Sequence, residues 1–223
     1  MKTACAAALV TLLAFTPGAS SGAVPGPAVQ PPGGQAGTSD PVALDNEYVR
    51  VSRNAAACTA PHTEGFGTRI IVALSSLKID SSKGPVPLER GGVAVFRAGE
   101  SYKEPAGEFF EVALKTPHPP LTAPEPWLEP DKNTVVYADE QFRVFEERLP
   151  PHGERQLHSH AQRVVVRLNA VRLTDPRNNP DGTSQGSLQV PDTVKFAEPV
   201  VHVVRNLSDI PLFNVVIEFK LPR

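Results

Sequence analysis

Cysteine is nearly absent from this chain of 223 residues, where Cys5 and Cys58 are the only two. Cys5 lies inside an N-terminal segment that reads as a cleaved leader. The one remaining cysteine cannot form an internal disulfide, so the fold must stand on its apolar core. Cys58 closes the run Ala55-Ala56-Ala57-Cys58 and reads as a small buried hydrophobe. Long apolar runs are also missing. Ala4 to Phe15 is too short for the roughly 20 residues that a membrane-spanning helix needs, and no other segment is long and apolar enough, so the mature chain is expected to have no membrane span. The net charge is −2 with no long basic run, which gives a nucleic-acid partner no support. There is no Gly-rich phosphate loop, no GxSxG elbow and no CxxC pair, which removes the usual signatures of nucleotide, serine-hydrolase and thioredoxin chemistry. No stretch has the periodicity of an amphipathic helix, and 24 prolines are too many for a helix-rich fold.

What is present divides the chain into five parts. Residues 1–23 have the form of a secretory signal: Lys2 supplies the positive start, Ala4 to Phe15 the apolar stretch, and Ser21-Gly22-Ala23 a small-x-small cleavage site. Export to a periplasm or the extracellular space follows as an expectation. Residues 24–41 form a linker rich in proline and glycine that cannot bury apolar surface. A first folded half is expected over 42–116 and a second over 134–223. Between them, 117–133 carries Pro117, Pro119, Pro120, Pro124, Pro126 and Pro130, with Trp127 available to pin the connection down.

The two halves repeat each other. Asn46-Glu47-Tyr48-Val49-Arg50-Val51 matches Asp139-Glu140-Gln141-Phe142-Arg143-Val144, and Arg69-Ile70-Ile71-Val72-Ala73-Leu74 matches Arg163-Val164-Val165-Val166-Arg167-Leu168. Further on, Val95-Phe96 aligns with Lys195-Phe196, and Phe110 to Leu114 with Phe213 to Ile217. A longer loop from Thr174 to Pro191 in the second half accounts for the growing displacement. Within each half short runs of Val, Ile, Phe and Leu are separated by Gly, Pro, Asn and Asp, which is the pattern of a small all-β barrel or jelly roll.

The chemistry concentrates in Pro150-Pro151-His152-Gly153-Glu154-Arg155-Gln156-Leu157-His158-Ser159-His160. On a strand His158 and His160 face the same side, about 7 Å apart along the backbone, and two such imidazoles can close on one ion. His202, in His202-Val203-Val204-Arg205-Asn206, is the candidate third ligand from another strand. The alternative for these residues is two solvated edge histidines and one core histidine.

His158-Ser159-His160 after a Gly-containing turn resembles the first cupin motif, and His202-x-x-x-Asn206 resembles the second. The wording of the second half is similar to that of small exported bacterial cupins. This resemblance to the cupin superfamily implies two double-stranded β-helix (jelly-roll) barrels in tandem, the first degenerate, with a divalent metal in the mouth of the second. Many cupins add a Glu four or five residues after the second His, but Val164 and Val165 stand there, with only Gln162 or Arg163 nearby. The remaining ligand set is His158, His160 and His202, all neutral, and imidazole suits iron, manganese, nickel, copper and zinc without distinguishing them.

In the first half, Glu64 and Phe66 fall at the positions of His158 and His160, Tyr102 at His202 and Ala106 at Asn206, while another alignment brings His62 and Glu64 forward. A structural, pocket-capping or dimer-like partner role is expected there rather than a second metal site. Arg143, Arg163 and Arg167 read as surface arginines, with alternation placing Arg163 and Arg167 opposite the two histidines. Two functions remain open: an exported metal-binding cupin acting on a small organic molecule by dioxygenase- or isomerase-like chemistry, or a non-catalytic cupin serving ligand binding or the cell envelope. A homo-oligomer is compatible with either.

Overall fold

Valine, isoleucine and phenylalanine at alternate positions give strands with two usable faces, and here each face has its own core. The computed structural model describes residues 42–54, 66–103, 105–125, 127–128, 133–178 and 185–221. The leader, the linker 24–41, Cys58, His62 and Glu64 lie outside these residues. The first half contains β1 (Val42–Asp45), β2 (Val49–Arg53), β3 (Phe66–Ala73), β4 (Leu77–Ser81), β5 (Gly84–Leu88), β6 (Val93–Phe96) and β7 (Phe109–Lys115). The second contains β8 (Thr134–Ala138), β9 (Phe142–Leu149), β10 (Glu154–His160), β11 (Arg163–Arg167), β12 (Arg172–Thr174), β13 (Ser187–Leu188), β14 (Thr193–Ala197), β15 (Val200–Asn206) and β16 (Leu212–Phe219). One 3-10 turn at Pro176–Asn178 is the only helical element among the described residues.

The sheets repeat as the sequence does. One five-stranded sheet runs β1-β2-β7-β3-β6 and the other runs β8-β9-β16-β11-β14, the same order in equivalent strands. Both halves enter their second strand through the same turn: Asn46 Oδ1 accepts from the backbone N–H of Tyr48 and Val49, and Asp139 Oδ1 accepts from those of Gln141 and Phe142. The later matches shift slightly. Ile70 pairs with Val95 and Val112, whereas its counterpart Val164 pairs with Phe196 and Ile217. Val95 therefore corresponds to Phe196 rather than Lys195, and Val112 to Ile217 rather than Val215. The two-residue slip in the last strand keeps every side chain on its face, which is why the sequence match hides it. Strand β5 escapes the sequence pattern because Pro85 and Pro87 interrupt it. The β4–β5 hairpin is a two-stranded sheet, whose exposed edges tolerate proline.

The two five-stranded sheets share one apolar layer. Val49, Val51, Ile70, Val72, Phe110, Val112 and Leu114 from the first meet Phe142, Val144, Val164, Val166, Val215, Ile217 and Phe219 from the second, all buried. Behind the first sheet, Ile71, Ile79, Phe96, Tyr102 and Phe109 fill the first half with apolar side chains. Tyr102, expected at the position equivalent to His202, is buried there, packs at a tilt against Phe96 and directs its hydroxyl to Glu111. Ala106 is exposed.

Between the halves, the Arg90 guanidinium reaches the carbonyls of Leu74 and Leu168 and the carboxylate of Asp192. Gly91 beside it has φ +83, and a Cβ there would come within 2.4 Å of the Phe213 ring. Because the layer is common to both halves, they are expected to unfold in one transition. Ile217→Ala should lower stability by about 2–5 kcal/mol, and Gly91→Ala should also destabilise, through a strained φ and a clash. Urea unfolding followed by fluorescence and by far-UV circular dichroism checks this: coincident transitions shifted to lower midpoints are expected.

Candidate metal centre

The remaining four strands form the sheet β10-β15-β12-β13, which closes the second half against the inner face of the β8-β9-β16-β11-β14 sheet. Three histidines face inward from it. His158 lies directly opposite His202 in the antiparallel β10–β15 pair, and His160 lies two residues along the same strand. Their candidate ligand nitrogens lie within 4.8 Å of one another. Two nitrogens on one ion, at bonds of about 2.1 Å and the tetrahedral angle, stand roughly 3.4 Å apart, so side-chain rotations of about an ångström close the set. The rings pack at centroid distances of 4.8, 4.5 and 5.4 Å.

A bulge aims the first of them. Arg155 pairs with Val204 and His158 with His202, so three steps on β10 match two on β15. The extra residue puts both Arg155 and His158 inside the barrel, with Gln156 and Leu157 exposed between them. It also brings the Gln156 carbonyl to 2.7 Å from His158 Nδ1. That contact fixes a proton on Nδ1 and turns the Nε2 lone pair inward. The Nε2 atoms of His158 and His202 are both buried and have no hydrogen-bond partner. Buried polar atoms are rarely left in that state, and each costs about 1–3 kcal/mol.

Behind His160 stands Glu218 of β16. Glu218 Oε1 lies 3.2 Å from His160 Nδ1 and accepts the Ala161 N–H at 2.8 Å, while Oε2 accepts from Arg143 Nε and Nη2, both at 2.7 Å. Burial raises the pKa of Glu218, but the His160 contact and Arg143 outweigh it and the net shift is downward. The sequence reading missed this residue because it is distant in the chain and belongs to none of the motif spacings. Its signal was a lone Glu among Val215, Val216, Ile217 and Phe219. The substitutes looked for near Val164 have other tasks. Gln162 exchanges hydrogen bonds with Thr122, and Arg163 donates to the carbonyls of Ala161 and Glu198.

Arg163 also corrects an expectation. It is buried inside the second half, not solvated on the opposite face, because β10 and β11 are separate strands in facing sheets and parity does not carry across the connection. Arg143 is only partly exposed and ion-paired with Glu218. The interior continues as a polar network: Arg155 donates to Glu147, Asn214 to Glu147, and Gln189 to Asn214. Asn206 of the second motif is fully buried and works as a clamp, donating to the carbonyls of Pro150 and Ile210 and accepting from the Ser208 N–H. His152 points away, to Asp209 at the surface.

A cleft of about 1030 Å³ lies alongside, lined by Trp127, Val135, Arg143, Glu218, Phe219 and Lys220 among others. Glu218 is thus a wall of the cleft and a contact of His160. Among the described residues no helix is long and apolar enough to cross a membrane.

Burial, reinforced by His158 and His160, pushes the pKa of His202 down from the ordinary 6.5 to about 3. Burial lowers His158 as well, against the opposing pull of the Gln156 carbonyl. Both groups are depressed in the folded state, so the unfolded chain binds more protons as pH falls below 6.5. Metal-free protein should therefore hold its full share of this stability above pH 6.5 and lose it progressively towards pH 3. Urea midpoints between pH 7 and 5, above the range where Glu218 titrates, should fall with pH, and His202→Asn should flatten that slope.

No family model matches the sequence, and no curated protein sequence matches it. Solved structures do. A candidate glyoxylate-induced protein of Pseudomonas aeruginosa is similar over 77% of this chain and 74% of its own, at 11% identity and a TM-score of 0.50. A cupin 2 conserved barrel domain protein of Leptotrichia buccalis is similar over 79% and 86%, at 10% identity and a TM-score of 0.48. A cupin domain of Bordetella pertussis is 29% identical over 44% of this chain and 99% of its own, with a TM-score of 0.33. Two equivalent jelly-roll halves in tandem, the second with an inward histidine cluster, give this chain the cupin fold.

Proposed function

We propose that this chain is an exported cupin that binds one divalent metal ion through His158, His160 and His202. The observation that carries the reading is the pair of buried, unpartnered Nε2 atoms on His158 and His202, which an ion would satisfy. The donor set suits iron, manganese, nickel, copper or zinc. A divalent ion held by three neutral imidazoles supplies Lewis-acid or redox chemistry at its open positions. The chain's own residues prepare the site: Gln156 and Glu218 hold the protonated Nδ1 atoms of His158 and His160 away from the ion. Trp127 and Val135 beside Arg143 and Lys220 suit the cleft to a small organic molecule with apolar and polar parts. Export rests on the leader pattern of residues 1–23.

Capture of such a molecule without turnover is the second reading. It is favoured by the burial of both unpartnered nitrogens and by the cleft lying beside the histidines, none of which lines it. Elemental analysis of untagged protein beside a His158→Ala/His202→Ala variant tests the common core of both readings. Near-stoichiometric metal that disappears in the variant is expected. Metal absent from the wild type, and not taken up on addition, would remove the metal reading.

A further inference from the structure

Glu218 has more contacts than a simple ion pair requires. Its two oxygens take four donor contacts, from Arg143 Nε and Nη2, the Ala161 N–H and His160 Nδ1, and the residue is 1% exposed. A buried Arg–Glu pair by itself stabilises a fold little, and an apolar pair of similar volume would serve the sheet as well. The surrounding positions of β16 are in fact Val, Ile and Phe. What an apolar pair could not do is hold His160. With Arg143 and the Ala161 N–H fixing the carboxylate, Oε1 is held against Nδ1 and the ring can turn only its Nε2 towards His158 and His202.

Building on the metal reading above, we infer that Glu218 is a positioning residue of the metal centre. It locks the tautomer of His160 and returns, through the imidazole, part of the negative charge that three neutral ligands lack. This is the relation seen when a ligating histidine donates its second nitrogen to a carboxylate, which raises ligand basicity. Cross-strand packing from β16 thus provides a carboxylate where β11 offers Val164 and Val165. Arg143, which holds that carboxylate through both Nε and Nη2, also borders the cleft with it.

The test is titration of the full mature chain with Co²⁺ and with Zn²⁺ against a competing chelator, comparing wild type, Glu218→Gln and His202→Ala. Glu218→Gln keeps the shape and an acceptor oxygen but not the charge. It should weaken metal binding 10–100-fold at unchanged stoichiometry with the Co²⁺ visible bands retained, and, because its amide NH2 must face one of the donors that the carboxylate accepted, it should also lower the metal-free melting temperature. A purely structural Glu218 would shift the melting temperature and leave the dissociation constant within about twofold, and that result overturns the inference. If Glu218→Gln does not fold, the double variant Arg143→Met/Glu218→Met leaves no unpaired charge and should show the same loss of affinity. Wild type that binds neither ion would instead sink the metal reading itself, and Glu218's role with it. Equal affinity of wild type and variant sinks only the role of Glu218.

Discussion

The apolar layer between the two five-stranded sheets is the constraint on which the rest depends. It occupies one face of every central strand, so the other face is free to differ between the halves. On β16 the alternation is explicit. Val215, Ile217 and Phe219 enter the shared layer, while Asn214 and Glu218 enter the second half's interior with their polar groups. A barrel that had to stabilise itself alone would need apolar residues at those inner positions. Here hydrophobic burial, at roughly 25 cal/mol per Å², is supplied on the far side of the same sheet, and the interior carries a polar network and three imidazoles.

The first half used the same freedom in the opposite direction. Its inner face is closed by Ile71, Ile79, Phe96, Tyr102 and Phe109, and the Tyr102 hydroxyl is absorbed by Glu111. An interior closed in that way, with Arg69 and Glu111 paired within it, makes the first half a partner for the shared layer. The metal-competent geometry of the described residues is confined to the other half.

Much of this was legible in the sequence, for reasons that can be stated. The repeat of Asn46–Val51 in Asp139–Val144 reports a turn whose side-chain oxygen must accept two backbone N–H groups, and both turns are formed. Period-two alternation was enough to put His158 and His160 together, and the His202-x-x-x-Asn206 pattern pointed to the third histidine. The rest depended on relations between strands, which no local pattern records. The β10 bulge, the two-residue slip of β16 and the inward turn of Arg163 are set by register and by which sheet a strand joins. Glu218 became visible only once β16 was seen to run beside β11 and β9, with Arg143 and Arg163 as its cross-strand neighbours. Pro85 and Pro87 likewise conceal a hairpin that is permitted because its outer edges make no ladder.

The central claim is that one ion is shared by His158, His160 and His202 inside the second half. A crystal structure of metal-loaded protein, with anomalous scattering recorded at the metal's absorption edge, tests it most directly. The account predicts a single strong peak about 2.0–2.3 Å from the Nε2 atoms of all three. A peak at the exposed His152 or His118 instead, or density for three histidines with no peak between them at saturating metal, would contradict it.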